Sequence, residues 1–272
     1  MSTISIIGTG GMAAAIGGRT AKAGYTVEVV SRDSAKARAL ANQLAAGATT
    51  GTYGVAPAGD IVILAVPYTN AATVLAEYGD ALDGKVIIDI TNPISPDATG
   101  LVTPHGSSGA QEIAKAAPAG AHVVKAFNTL FGPVLARRGR LDAFIAADDP
   151  KAKALVSTFL ESLGLRPFDV GALHMASTLE SLGLMLIGLA KNGAGTFDIA
   201  LNVDISLITG TTSLPPGPRH HWEQHVSHVV LINPFQWSRL STAAFRPYEI
   251  APKSVGPTPC GSAWKSCGRS RE

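Results

Sequence analysis

The residues best placed to do chemistry stand near the start: Gly8-Thr9-Gly10-Gly11-Met12-Ala13, a G-x-G-x-x-A pattern. The chemistry is phosphate binding. Gly8 allows a tight turn, Gly10 removes a side chain where a pyrophosphate must approach the backbone, and Ala13 stays small where a helix packs on a strand. A helix opening here offers free N–H groups and its positive dipole end to an anion. The pattern has meaning only between a strand and a helix. Both are predicted. Ile4, Ile6 and Ile7 form an apolar β-rich run before the turn, and residues 13–23 are rich in Ala and free of Pro after it. Gly24 ends that helix, and residues 26–30 form a second β-branched run. The alternative is an ordinary glycine-rich turn between strand and helix.

The end of the second strand bears on which nucleotide fits. An Asp or Glu there would hold a ribose 2′-hydroxyl. This chain has Ser31-Arg32 instead. A hydroxyl and a guanidinium suit a 2′-phosphate, which an acid would repel. The reading is therefore NADP(H) rather than NAD(H). Otherwise Arg32 is a solvated residue ahead of the next helix, with Asp33 as its N-cap.

These residues must be carried by a fold, and the rest of the chain supplies it. After Arg32 come a helix to about residue 45, a short strand near residues 52–55 and a continuous apolar strand at 60–67. A helix at 70–78, a strand at 85–90, a loop at 94–106 and a helix at 107–117 follow. The last has a capping-box look in Ser107, Ser108, Gln111 and Glu112. Strands at 122–127 and 142–147, a helix from Asp149-Pro150 to residue 163, a strand at 165–170 and a final helix at 174–191 complete the order. This alternation predicts an α/β fold with a doubly wound parallel sheet of the Rossmann type, a C-terminal helical segment and an irregular tail. The domain reading is 1–171 for nucleotide binding, 172–210 helical, and 211–272 an irregular or disordered tail foreign to the fold. In such sheets a ligand lies beyond the carboxyl ends of the strands. The site is thus expected at residues 8–12, 31–32, 66–68, 91–93 and 127–129.

Composition narrows the class. With 272 residues, 46% of them apolar and 15% charged, the chain can bury a sizeable core. A net charge of +2 is too balanced to suggest nucleic acid. Residues 1–210 hold 15 Lys and Arg against 17 Asp and Glu, and the tail holds 7 against 3. Both cysteines, Cys260 and Cys267, lie in the tail, which fits a reducing compartment without a disulfide scaffold. No basic-then-apolar leader precedes the first strand, and the apolar stretch at 182–190 is short of the roughly 20 residues a membrane span needs. The expectation is a cytoplasmic protein with no membrane partner. His220, His221, His225 and His228 have metal-like spacing but no partner acids, so no metal is expected.

No clustered His–Asp or Cys–His nucleophile pattern is present. His105 and Lys125 are the candidate catalytic residues. His105 could donate a proton from the long loop, or simply be loop surface. Lys125 could contact a phosphate or acceptor, or snorkel outward from its strand. Asp89 reads as an acceptor of backbone N–H bonds. His174 and Glu180 are further candidates for acceptor contact.

The segments GTGGM, DIVILAVP, KVIIDITNP and VVKAFNT, with a late helix after DVG, resemble the NADPH-dependent reductases of coenzyme F-420 (F420). They are also similar to the cytoplasmic domain of the six-transmembrane metalloreductases. The resemblance spans residues 3–204. It implies that Gly8, Thr9, Gly10, Gly11 and Met12 hold the pyrophosphate, and Ser31 and Arg32 the 2′-phosphate. It also implies that Val66 and Pro67 flank the cofactor, and that Asn92, Pro93, Phe127 and Asn128 sit near the nicotinamide. The implied reaction is hydride transfer between NADP(H) and a flavin or deazaflavin. The cofactors carry such chemistry while the protein aligns rings and excludes water. The competing readings are an imine or 3-hydroxyacid reductase and a non-enzymatic NADP(H) sensor. The apolar last helix is a candidate homodimer face.

Overall fold

The structure is a computed structural model and describes residues 2–44, 47–137 and 139–205. Its elements alternate along the chain. They run β1 (Thr3–Ile7), α1 (Gly11–Lys22), β2 (Thr26–Val30), α2 (Ser34–Leu44), β3 (Thr49–Thr50), β4 (Ile61–Leu64), α3 (Tyr68–Tyr78) and β5 (Val86–Asp89). Then follow α4 (Gly109–Ala116), β6 (His122–Lys125), α5 (Gly132–Arg137), β7 (Leu141–Ala147), α6 (Pro150–Ser162), β8 (Leu165–Asp169) and α7 (Ala176–Leu189). The strands form one sheet in the order β3-β2-β1-β4-β5-β6-β7-β8.

β4 and β5 are buried along their whole length because helices cover both faces of the sheet. One face buries Ile16 of α1, Leu40 of α2, Leu135 of α5 and Phe159 of α6. The other buries Val74 of α3, Ile113 of α4 and Ala176 of α7. Strands β1 to β6 pair in parallel, with Ile4 beside both Val27 and Ile61. Their carboxyl ends therefore share one rim, where the expected site residues stand.

The sheet departs from the all-parallel expectation at β7, which runs antiparallel to β6. Among its described residues, the link between them holds only the short α5. A parallel return needs a full crossover to the far end, and this link does not make one. β3 lies at Thr49–Thr50, not at 52–55. A Cβ at Gly51 would stand 2.5 Å from Glu28 Oε1, so the chain passes tightly over β2 here and then turns away. Glu28 itself accepts from Ser5 Oγ at 2.5 Å and from the Ala58 amide at 2.9 Å, locking this edge.

The final helix is longer than its periodicity suggested. A 3-10 turn, Leu173–Met175, leads into α7, and a π turn, Ala190–Ala194, continues it. The whole run, Leu173–Ala194, is long and apolar enough by length and composition to cross a membrane, contrary to the short stretch read from sequence. Its Glu180 is fully buried against the sheet, as a core helix would be. The contact-defined unit around this sheet spans Met1–Leu207. The expectations for the tail, including its four histidines and two cysteines, lie outside the described residues.

Candidate functional site

The glycine turn divides its work between fold and ligand. Gly8 has φ +132°, and a Cβ there would stand 2.1 Å from the Ala65 carbonyl oxygen. Only glycine lets β1 leave the sheet this close to β4. Gly10 is different. It is the N-cap of α1 in an extended conformation, supplies no side-chain cap, and a Cβ there would meet nothing within 4 Å. The first helical bond runs from the Ala14 amide to Gly10 O at 3.0 Å. The amides of residues 11–13 therefore have no helical acceptor, and no acid stands in that first turn. Ala13 is fully buried, as its packing role requires. A cleft of about 370 Å³ opens beside the turn, lined by Thr9, Gly10, Gly11, Lys36, Leu40 and Gln43.

Lys36 was not among the residues picked from sequence. The signal was available, since it lies four residues after Arg32 in the first turn of the next helix. Asp33 Oδ1 caps that helix, accepting from the amides of Ala35 at 3.0 Å and Lys36 at 3.1 Å. The Lys36 amide, then the Lys36 side chain, hold the Asp33 carboxyl below its ordinary range. Lys36 Nζ stands 3.5 Å from Asp33 Oδ2. Ser31 Oγ accepts from the Asp33 amide at 3.2 Å. Arg32 is exposed and paired with Glu77 of α3.

At the centre of the rim, Val66 is half-buried and Pro67 exposed, leading into Tyr68. Tyr68 Cε2 and Pro93 Cγ would lie 3.1 and 3.2 Å from a Cβ on Gly109, so both pack on the start of α4. Burial, and then the nearby Glu112 and Glu180 charges, push the Tyr68 hydroxyl up. Asn92 and Asn128 are joined reciprocally. Asn92 Nδ2 donates to Asn128 O at 2.8 Å, and Asn128 Nδ2 donates to Asn92 Oδ1 at 3.0 Å and to Leu179 O at 2.8 Å. This knot ties the ends of β5 and β6 to α7. Asn128 Oδ1 and Thr91 Oγ1 are buried and have no hydrogen-bond partner among the described residues.

Phe127 is buried completely, with its ring in the core. Its φ of +61° is rare for a bulky residue and marks local strain beside Asn128.

Two candidate roles need correction. Lys125 neither snorkels nor faces a ligand. It is fully buried, and its ammonium donates to Asp89 Oδ2 at 2.8 Å, Thr91 O at 2.6 Å and Glu180 Oε1 at 2.8 Å. An ammonium has three donors, so all are used. Glu180 also accepts from the amides of Gly109 at 2.9 Å and Ala110 at 3.1 Å, which caps α4. Buried and engaged on all sides, Glu180 is likewise a scaffold residue. The other oxygen of Asp89, Oδ1, accepts from the Thr91 amide at 2.8 Å. His105 and His174 are exposed.

The glycine turn at the start of α1, the basic end of β2 and the cleft beside the turn fit a dinucleotide-binding fold. Residues 3–93 match the family model described as NADP oxidoreductase coenzyme F420-dependent. The F420-dependent NADP reductase of Methanothermobacter marburgensis is 30% identical over 206 residues, covering 67% of this chain and 89% of that reductase. The chain belongs to this family. It is an NADP-dependent oxidoreductase, and NADP(H) is its nucleotide. The metalloreductase STEAP3 of Rattus norvegicus is 29% identical over 187 residues, which cover 68% of this chain. The chain spans 37% of that metalloreductase's length. A crystal structure from Arthrobacter sp. FB24 aligns with TM-score 0.67 at 25% identity, covering 74% of this chain and 99% of that one.

Proposed function

We propose that this chain transfers hydride between NADP(H) and a flat deazaflavin or flavin acceptor, with coenzyme F420 as the first choice. The observation that carries the reading is the uncapped, open start of α1 at Gly10, with Lys36 lining the same cleft and Arg32 following the end of β2. Bare amides and two cations suit a pyrophosphate and a 2′-phosphate together. The coverage of a relative named an F420-dependent NADP reductase supports the choice of acceptor.

The residues fit the nucleotide. Gly10 and Gly11 leave room for phosphate, with Thr9 and Met12 beside them. Ser31, Arg32 and Lys36 hold the 2′-phosphate. Val66 and Pro67 flank the cofactor, and Asn92, Pro93 and Asn128 line the nicotinamide end. Phe127 acts there through its strained backbone, since its ring is in the core. When bound, NADPH supplies the hydride. The protein's share is alignment and exclusion of water. Within the Asn92–Asn128 knot, half-buried Asn92 keeps one Nδ2 hydrogen that can meet a ring carboxamide without moving a proton. Neither Lys125 nor His105 is assigned a catalytic role: the first is sealed in its ion cluster, the second is on the loop surface. A second copy of the chain is the proposed partner for the outer face of α7, where Met185 and Leu189 are exposed.

Stopped-flow oxidation of NADPH tests the reading, with F420, FMN and FAD as acceptors. Turnover fastest with F420 supports it. Tight NADPH binding with no turnover on any acceptor would replace it with a sensor.

A further inference from the structure

We propose that Glu77 and Tyr53 are specificity-determining residues that hold Arg32 with its outer edge free for a 2′-phosphate. The proposal rests on the reading that Arg32 meets this phosphate, and it adds residues that touch no ligand themselves.

The guanidinium is held along one edge. Arg32 Nη2 donates to Glu77 Oε2 at 2.8 Å, and Nε donates to the same oxygen at 3.2 Å and to Tyr53 Oη at 3.1 Å. The Tyr53 hydroxyl donates in turn to Glu77 Oε2. Its ring lies under the guanidinium, 5.5 Å from centroid to Cζ. Tyr53 is fixed by Tyr78, which packs edge-on at 5.2 Å and 74°. A guanidinium has five N–H donors in a rigid fork. Glu77 and Tyr53 engage the Nε side and one Nη2 hydrogen. This leaves the Nη1–Nη2 edge, which can bind two phosphate oxygens at once.

A free arginine side chain would lose its rotamer freedom on binding phosphate. Here the protein has already imposed that order, so less is lost. The charges explain why geometry must carry the preference. Arg32 and Lys36 are offset by Asp33 and Glu77, so the isolated site has no net positive charge to attract a phosphate at a distance. Selectivity then depends on where the Arg32 donors point. The three contributing segments are remote in sequence: the end of β2, the loop after β3, and α3.

The test compares nucleotide affinities by fluorescence titration of the full chain. E77A frees the guanidinium and should weaken NADPH about fivefold while leaving NADH within about twofold. E77Q keeps an oxygen acceptor in place and should recover most of the loss. NADH affinity reports whether a variant has damaged the site in general. Equal loss for both nucleotides in E77A would overturn the proposal, because Glu77 would then only support the fold. Tighter NADPH binding in E77A would also overturn it, because Glu77 would then be a competitor for Arg32. R32Q separates the two layers. If R32Q leaves the NADPH to NADH ratio unchanged, the 2′-phosphate reading itself fails. If R32Q removes the preference and E77A does not, this proposal alone fails.

Discussion

The Lys125 ammonium and the Glu180 carboxylate lie 2.8 Å apart with both side chains fully buried. One ends β6 and the other sits within α7, so the last helix is fastened to the sheet by an ion pair. Asp89 completes the cluster from β5, also at 2.8 Å from Lys125.

Removing the cation leaves two carboxylates buried without a counter-charge. Breaking such a pair costs about 3–5 kcal/mol. Lys125→Met is therefore expected to lower unfolding stability by about that amount in urea denaturation. A change below about 0.5 kcal/mol would show that the cluster is not holding α7.

Gly8 and Gly10 should fail differently. Gly8→Ala places a Cβ 2.1 Å from the Ala65 carbonyl oxygen, at a positive φ. Its thermal transition should fall or vanish. At Gly10 an added Cβ would meet nothing within 4 Å, so Gly10→Val is the contrasting variant. It should keep the wild-type transition yet lose NADPH binding, since the added side chain occupies the phosphate approach. Melting curves and calorimetry together check the pair. Wild-type NADPH affinity in Gly10→Val would remove the phosphate site from this turn.

Much of this was legible in the chain itself, and the failures are instructive. β2 was read to the residue because Thr26–Val30 is bounded by Gly24 and by polar Ser31. α5 was missed because Gly132-Pro133 reads as a turn, although proline fits a helix's first turn. The antiparallel β7 depends on how far a link travels, which periodicity does not encode. Lys125 was misjudged because its partners, Asp89 and Glu180, lie 36 and 55 residues away. Glu77 was invisible as a partner of Arg32 for the same reason, at a separation of 45. The glycine turn was legible because all its parts are contiguous.

Gly183 tests the Asn92–Asn128 knot. A Cβ there would stand 2.6 Å from Asn92 Oδ1. Gly183→Ala should push Asn92 away from Asn128 and slow hydride transfer about tenfold, while NADPH affinity changes less than threefold. Single-turnover kinetics read the first and titration the second. An unchanged transfer rate would place the knot away from the reacting ring.

Asp142 gives a pH dependence. Burial opposes its ionisation, but hydrogen bonds from Arg166 and the Val203 amide outweigh that, so its carboxyl is held below the ordinary range. Arg166 donates to both carboxylate oxygens at 2.7 Å. A depressed folded-state value means the stabilisation is present above the ordinary carboxylate range. It is lost as pH falls through the lower folded value. Melting temperature should therefore drop on acidification below about pH 4. Asp142→Asn should be less stable at neutral pH and should show a shallower acid limb. Parallel acid limbs for the two proteins would exclude Asp142 as a contributor.

The most direct test of the whole account is isothermal titration of the wild-type chain with NADPH and with NADH. The account predicts one NADPH per chain, bound at least about tenfold more tightly than NADH. Absence of NADPH binding, or a preference for NADH, would contradict it.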